Sequence, residues 1–267
     1  MRSRHVLALA TLLALVLAAC AVSPTGRKQL LLFGDSDLAA MGVTAFSQQK
    51  SQLPLSTDSR KNAYVQCVSH KLLTAMGENP SSWEVVLFES AQANAFALPG
   101  GKIGIYTGLL PVASNQHMLA AVVGHEIGHV IAKHSNERLS TQQATTQGLG
   151  IIQAVMSSGE QTQQKQLLMG ALGLGAQYGV IMPYGRAQES EADEIGLDLM
   201  AKAGFDPAHA ITLWQNMSAA SGGKAPPQIL STHPSNETRI RDIQKHLPKS
   251  QALLQQARAA GLNPACQ

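Results

Sequence analysis

The chain has 267 residues, 45% of them hydrophobic and only 14% charged, with 20 basic and 17 acidic side chains. That balance leaves no basic field for nucleic acid and no strongly acidic surface. The length suits one well-buried domain with room for a small lobe.

The N-terminus reads as a targeting segment. Arg2 and Arg4 form a basic start, and residues 6–17 form an apolar run too short for a comfortable membrane span. Leu17-Ala18-Ala19-Cys20 then reads as a bacterial lipobox, with Cys20 the lipidated first residue of the mature chain. The alternative is an ordinary secretory signal cleaved near Ala19. On either reading residues 1–19 are a signal peptide and residues 20–29 a polar tether containing Pro24 and Gly26. Without Arg2 and Arg4, 18 basic and 17 acidic side chains remain, a net charge of +1. With Cys20 acylated, Cys67 and Cys266 are left as an even pair in an oxidising compartment, which predicts a disulfide; two free thiols are the alternative.

Helices are expected over residues 35–50 and 59–76, the second with Ala63, Val65, Cys67, Val68, Leu72 and Leu73 as apolar positions. A turn follows, then a strand over 83–88. Asn94, Ala95, Phe96, Ala97 and Leu98 and the run 103–106 flank Pro99-Gly100-Gly101-Lys102, a hairpin signal.

The next helix carries His125-Glu126-Ile127-Gly128-His129. Residues four apart share a helix face, so both imidazoles can reach one metal ion. Glu126 lies about 100° round the helix from His125, where it flanks the metal as a general base for bound water. Residues 118–131 are apolar in nearly every direction, so the helix is expected to be buried all round. Two histidines and a glutamate there are expensive unless something pairs with them. A hydrogen-bonded core pair with a salt bridge is the alternative. His117 and His134 fall off this face and read as surface histidines.

Residues 139–166 are helix-compatible with a looser stretch at Ser157-Ser158-Gly159. Residues 167–182 are apolar and rich in Gly and Ala, too short to span a membrane. They suit packing on the active-site helix, a movable cover or a membrane-touching element, with packing preferred. Residues 186–202 read as a helix stopped by Gly204 and Pro207. Its periodicity points Glu189 and Asp193 inward and places Glu191, Glu194, Asp198 and Lys202 on a solvated face. A catalytic zinc wants three protein ligands and an open position, which makes Glu189 the third ligand. Asp193, one turn on, can then accept an N–H from a ligating imidazole and fix its tautomer. A first-turn carboxylate serving the helix dipole is the alternative for Glu189. Helices over 205–218 and 237–246 follow, separated by a flexible loop and followed by a short tail; no internal repeat and no second domain is evident.

At this point the chain resembles the gluzincins of the CaaX-protease, HtpX and Oma type, particularly the periplasmic lipoprotein members BepA and LoiP. The resemblance rests on His125, Glu126 and His129, on Glu189, Ala192 and Asp193 about sixty residues later, and on Thr232, His233 and Pro234. It covers residues 30–247, leaving 248–267 as a C-terminal tail. It implies a mainly helical α+β, zincin-like metallopeptidase with a small sheet or hairpin beside the active-site helix, and one Zn2+ per subunit. The chain lacks the long C-terminal repeat domain of BepA and the internal transmembrane helices of HtpX. By the same resemblance its substrates are unfolded or misassembled envelope proteins, and association with outer-membrane assembly machinery is implied. Ala21 after Cys20 resembles the sorting signal for the periplasmic side of a Gram-negative outer membrane. In such relatives the histidine matching His233 enters the fourth metal position and checks the enzyme; a loop histidine that merely hydrogen-bonds is the alternative. The strand Asn94–Leu98 is the candidate for pairing with extended substrate, and a plain structural hairpin is equally compatible. Tyr178, Tyr184, His209 and Arg239 are candidates for stabilising an oxyanion. The competing function is a non-proteolytic chaperone or assembly factor that uses the same cleft, against which the intact Glu126 argues.

Overall fold

A computed structural model describes residues 20–157, 185–220, 229, 233 and 237–267. The expected segment 167–182, Tyr178, Tyr184, Thr232 and Pro234 lie outside the described residues. The chain divides into two units, residues 1–34 with 133–182, and residues 35–132 with 183–267.

In the first unit, β1 (Cys20–Val22) and β2 (Lys28–Leu30) form an antiparallel hairpin, with Cys20 opposite Leu30. This corrects the polar tether. Ser23 and Gln29 are buried, Gly26 takes a positive φ of 93°, and the Ser23 N–H donates to Arg27 O at 2.8 Å. Within the same unit Arg27 makes a two-pronged ion pair with Glu137, at 2.5 and 2.6 Å. Glu137 lies in the first turn of α4 (His134–Ser157). His134, expected at the surface, is fully buried.

The second unit holds the other elements. α1 (Asp35–Gln52) precedes α2 (Ser59–Met76), which starts on the Asp58 side chain and ends on Gly77 in the left-handed conformation that glycine tolerates. Strands β3 (Glu84–Phe88), β4 (Ala95–Leu98) and β5 (Lys102–Tyr106) form one sheet in the order β3-β5-β4. β4 and β5 are the hairpin read from Pro99-Gly100-Gly101-Lys102, and β3 runs parallel to β5. β4 is therefore an edge strand.

Against this sheet packs α3 (Gln116–Ile131), followed by α5 (Arg186–Lys202), α6 (His209–Ala220) and α7 (Glu237–Ala259). Val65, Leu72, Ile103, Ile105, Leu119, Val123, Ile127, Met200 and Phe205 make one core shared by sheet and helices. α7 runs on through Pro248, where a stop was expected. Proline forfeits one helical hydrogen bond. Beyond it Leu254 and Ala257 are buried and the Ser250 hydroxyl donates to Asp198 at 2.7 Å, so packing outweighs that loss. The remaining tail is tied down too. Gln116 donates to Pro264 O and accepts from the Cys266 N–H, both at 2.9 Å. Cys266 is disulfide-bonded to Cys67 of α2. No described helix is long and apolar enough to cross a membrane.

Candidate metal centre

The site begins with a seam of small residues between α3 and α5. Gly124 and Gly128 face Ala192 and Gly196. A Cβ on Gly128 would fall 2.7 Å from Ala192 O, and one on Gly196 would fall 2.8 Å from the His125 nitrogen. Only the absence of side chains lets the two backbones approach this closely, and that approach brings the histidines of α3 within reach of the acids of α5. α3 is fixed in register by Asn115, whose side chain accepts from the N–H groups of His117 and Met118. As expected, α3 is buried from Met118 to His129.

His125, Glu126, His129, Glu189, Asp193 and His233 all come together, none more than 7% exposed. Nε2 of His125 stands 3.0 Å from Nε2 of His129 and 3.2 Å from Nδ1 of His233. Glu189 Oε1 lies 2.9 Å from His233 Nδ1 and 3.5 Å from His129 Nε2. A tetrahedral ion bonded at about 2.0–2.1 Å holds its ligands about 3.3–3.4 Å apart, so this spacing fits four donors around one ion. The charge balance agrees. Glu126, Glu189 and Asp193 are three buried carboxylates, and Arg239 is the buried cation among them. A divalent ion restores neutrality.

Asp193 Oδ1 lies 2.9 Å from Nδ1 of His125. Arg239 Nη2 also stands 3.0 Å from this Nδ1; a proton on Nδ1 directed to Asp193 turns the lone pair of Nε2 toward the other donors. Burial and Arg239 oppose a proton on His125, yet Asp193 and Glu189 push its pKa up to about 9. Burial raises Glu189 and Asp193, but His125, His233 and Arg239 outweigh it at Glu189, and Arg239 with His125 outweighs it at Asp193. Both carboxyls are held below the usual range. Burial pushes the Glu126 carboxyl up, the direction that suits a proton acceptor near neutral pH. Its Oε1 is buried without a hydrogen bond, 3.5 Å from His233 Nε2.

Arg239 was read only as one oxyanion candidate among four. Its Nε and Nη2 grip Asp193 at 2.5 and 2.8 Å, and Nη1 stands 2.6 Å from Glu189 Oε2. Its guanidinium lies over Trp214, 3.7 Å from the ring centre. The signal for its burial was its place one turn before Ile243, which is also buried. His209 is elsewhere. It stacks on His117 at 4.8 Å, about 12 Å along α3 from His125 by helical rise. His117 is half-buried rather than a surface residue, and its Nδ1 accepts from the Asp206 N–H.

The solvated face predicted for α5 needs correction. Glu191 is buried, and Asp198 is held by His246, Ser250 and Lys249 of α7. Periodicity found the side that faces α3, but the opposite side meets a second helix instead of water. Glu194 and Lys202 keep substantial exposure.

Two histidines one turn apart on one helix, a glutamate from a second helix and an acid beside the first histidine define a metallopeptidase site. Residues 59–247 match Peptidase family M48, and the chain belongs to that family. The Schizosaccharomyces pombe mitochondrial metalloendopeptidase OMA1 is 38% identical over 190 residues, covering 70% of this chain and 53% of that protein. Its Saccharomyces cerevisiae counterpart is 33% identical over 209 residues, covering 72% and 58%. The beta-barrel assembly-enhancing protease of Escherichia coli K12 is 26% identical over 220 residues, covering 81% and 45%. The chain thus spans about half the length of these curated relatives.

Proposed function

We propose that this chain is a zinc metalloendopeptidase that cleaves unfolded or misassembled envelope proteins. The convergence of His125, His129, Glu189 and His233 with Glu126 alongside carries this reading. His125, His129 and Glu189 would hold the zinc, which supplies Lewis acidity toward the scissile carbonyl and lowers the pKa of bound water. Glu126 takes the proton from the attacking water and passes it to the leaving amine. Asp193 keeps the Nδ1 proton of His125 in place. The edge of β4 that no strand pairs with among the described residues, with Phe96 on it, offers main-chain hydrogen bonds to an extended substrate, which suits a protease acting on many sequences.

His233 is the fourth donor, and as a resident ligand it would shut out the attacking water. The segment bearing it supports this: the Ile229 N–H donates to Ala93 O just before β4, and the His233 N–H donates to Ile229 O. Substrate entering along β4 would displace that contact. Acylation at Cys20 would anchor the chain to the periplasmic side of an outer membrane. Contact with outer-membrane assembly machinery is the second element of the reading, supported by the likeness to the E. coli beta-barrel assembly-enhancing protease.

Casein hydrolysis by wild type and by Glu126→Gln, with metal content measured on both, tests the activity. Wild type should cleave while the variant keeps its metal and does not. Equal rates, or no cleavage by metal-loaded wild type, would favour a binding protein without turnover.

A further inference from the structure

We propose that Arg239 is a positioning residue for the metal centre: one guanidinium clamps Glu189 and Asp193 together, so that Glu189 is held toward the ion and Asp193 stays on His125. The inference rests on the metal-site reading above.

Glu189 and Asp193 are one turn apart on α5 and both are buried. Like charges at that spacing repel, and burial strengthens the repulsion. Arg239, from α7, lies between them. Its Nε and Nη2 meet the two oxygens of Asp193 as parallel prongs. Nη1 stands 2.6 Å from Glu189 Oε2, which itself lies 3.5 Å from His125 Nε2, while Oε1 is directed at His129 Nε2 and His233 Nδ1. The same Nη1 is 3.5 Å from the His233 carbonyl oxygen, so the clamp also reaches the segment that supplies the fourth donor. Trp214 fixes the plane of the fork from below. A lysine could supply the charge but could not span both carboxylates.

This geometry argues against the oxyanion role considered from sequence. All three guanidinium nitrogens are held by carboxylates, Nη2 also lies 3.0 Å from His125 Nδ1 and 3.2 Å from its Nε2, and the side chain is 3% exposed. The arrangement also separates positioning from plain stability. A buried ion pair often adds little stability over an apolar replacement, so thermal stability alone says little about the role, whereas metal affinity reports on it.

The test uses the full chain and compares wild type, Arg239→Gln and Arg239→Lys by zinc competition with a chelator and by the visible absorption of the cobalt-substituted protein. Loss of such an outer partner weakens metal binding by roughly 10–100-fold, which is expected for Arg239→Gln together with a changed cobalt spectrum. Arg239→Lys should fall between that and wild type. Combining Arg239→Gln with Asp193→Asn should weaken binding less than the product of the single effects, because both act through His125. A folded variant with wild-type affinity and spectrum, altered only in melting temperature, would overturn the proposal. If Arg239→Gln does not fold, Arg239→Lys decides by the same criterion. Wild type that binds neither zinc nor cobalt would overturn the metal-site reading itself, a result distinguishable from unaffected variants.

Discussion

A pair of close imidazoles lies near each end of helix α3, one pair within the helix and one shared with α6, and the two pairs differ in kind. At one end His125 and His129 face each other across 3.0 Å, with Glu189, Asp193 and Glu126 around them. Near its start His117 stacks on His209, meets Phe205 edge-on, accepts a backbone N–H from Asp206, and is lowered in pKa first by burial and then by His209. The first pair is set in a surplus of negative charge and turns lone pairs to a common point. The second is ring packing at the junction with α6. Here carboxylates orient the first pair and supply the charge that a cation would balance, and the second pair has no such set around it among the described residues.

The largest effects should separate the two ends. His125→Ala, His129→Ala and Glu189→Ala should each lose metal and all detectable cleavage. Glu126→Gln should keep metal and lose roughly 10²–10⁴-fold in rate, as expected for a removed general base. His117→Ala should keep metal and most activity. Metal loss in His117→Ala, read by atomic absorption, would erase the distinction.

The next effect belongs to the start of α3, where Gln116 holds the Cys266 segment. Breaking the Cys67–Cys266 bond by Cys266→Ser releases a link between residues 199 apart in sequence. In the chain-entropy model that costs about 5 kcal/mol, often less in practice. Denaturant unfolding should show the loss while zinc affinity at the far end of α3 stays within about twofold. A large affinity change would mean that the two ends are coupled.

A smaller cost is expected where the helices touch. Gly196→Ala puts a methyl 2.8 Å from the His125 nitrogen. Overpacking of this kind costs roughly 1–3 kcal/mol, and here it should also weaken metal binding by pushing α5 from α3. Gly185→Ala, whose added Cβ meets nothing nearer than 3.9 Å, is the control and should be near neutral. Equal stability and metal affinity in Gly196→Ala and wild type would show that the seam tolerates separation.

What was legible in the sequence follows the same division. Local rules delivered the metal side: helical spacing placed His125, His129, Glu189 and Asp193, and turn residues placed the β4–β5 hairpin. The bounds of α2 agree with its apolar positions and its capping residues, Asp58 and Gly77. What local rules missed was set by distant partners. Pro248 reads as a stop until the burial of Leu254 and Ala257 is known. Residues 20–29 read as a tether because a short hairpin has little hydrophobic pattern of its own. Arg239, Glu191 and Asp198 are charged, and charge reads as solvent exposure until tertiary neighbours, such as α7 beside Asp198, supply cover.

The smallest effect tests that last point on the α5 face away from the metal. Asp198 is only 17% exposed, and burial by itself would raise its pKa. His246, Lys249 and Ser250 outweigh burial and hold the carboxyl below its ordinary value of 3.8. A depressed carboxyl stabilises the fold when it is ionised, so the contribution is complete above about pH 5 and is lost as pH falls below the ordinary value. Asp198→Asn should therefore cost about 1 kcal/mol at neutral pH and flatten the decline in stability between about pH 4 and pH 2, measured by urea unfolding across that range. Metal affinity should not change, because no ligand touches this face. An Asp198→Asn variant as stable as wild type at pH 7, with the same acid limb, would show that the α5–α7 contact does without the ion pair and that Asp198 behaves as the solvated residue its sequence position suggested.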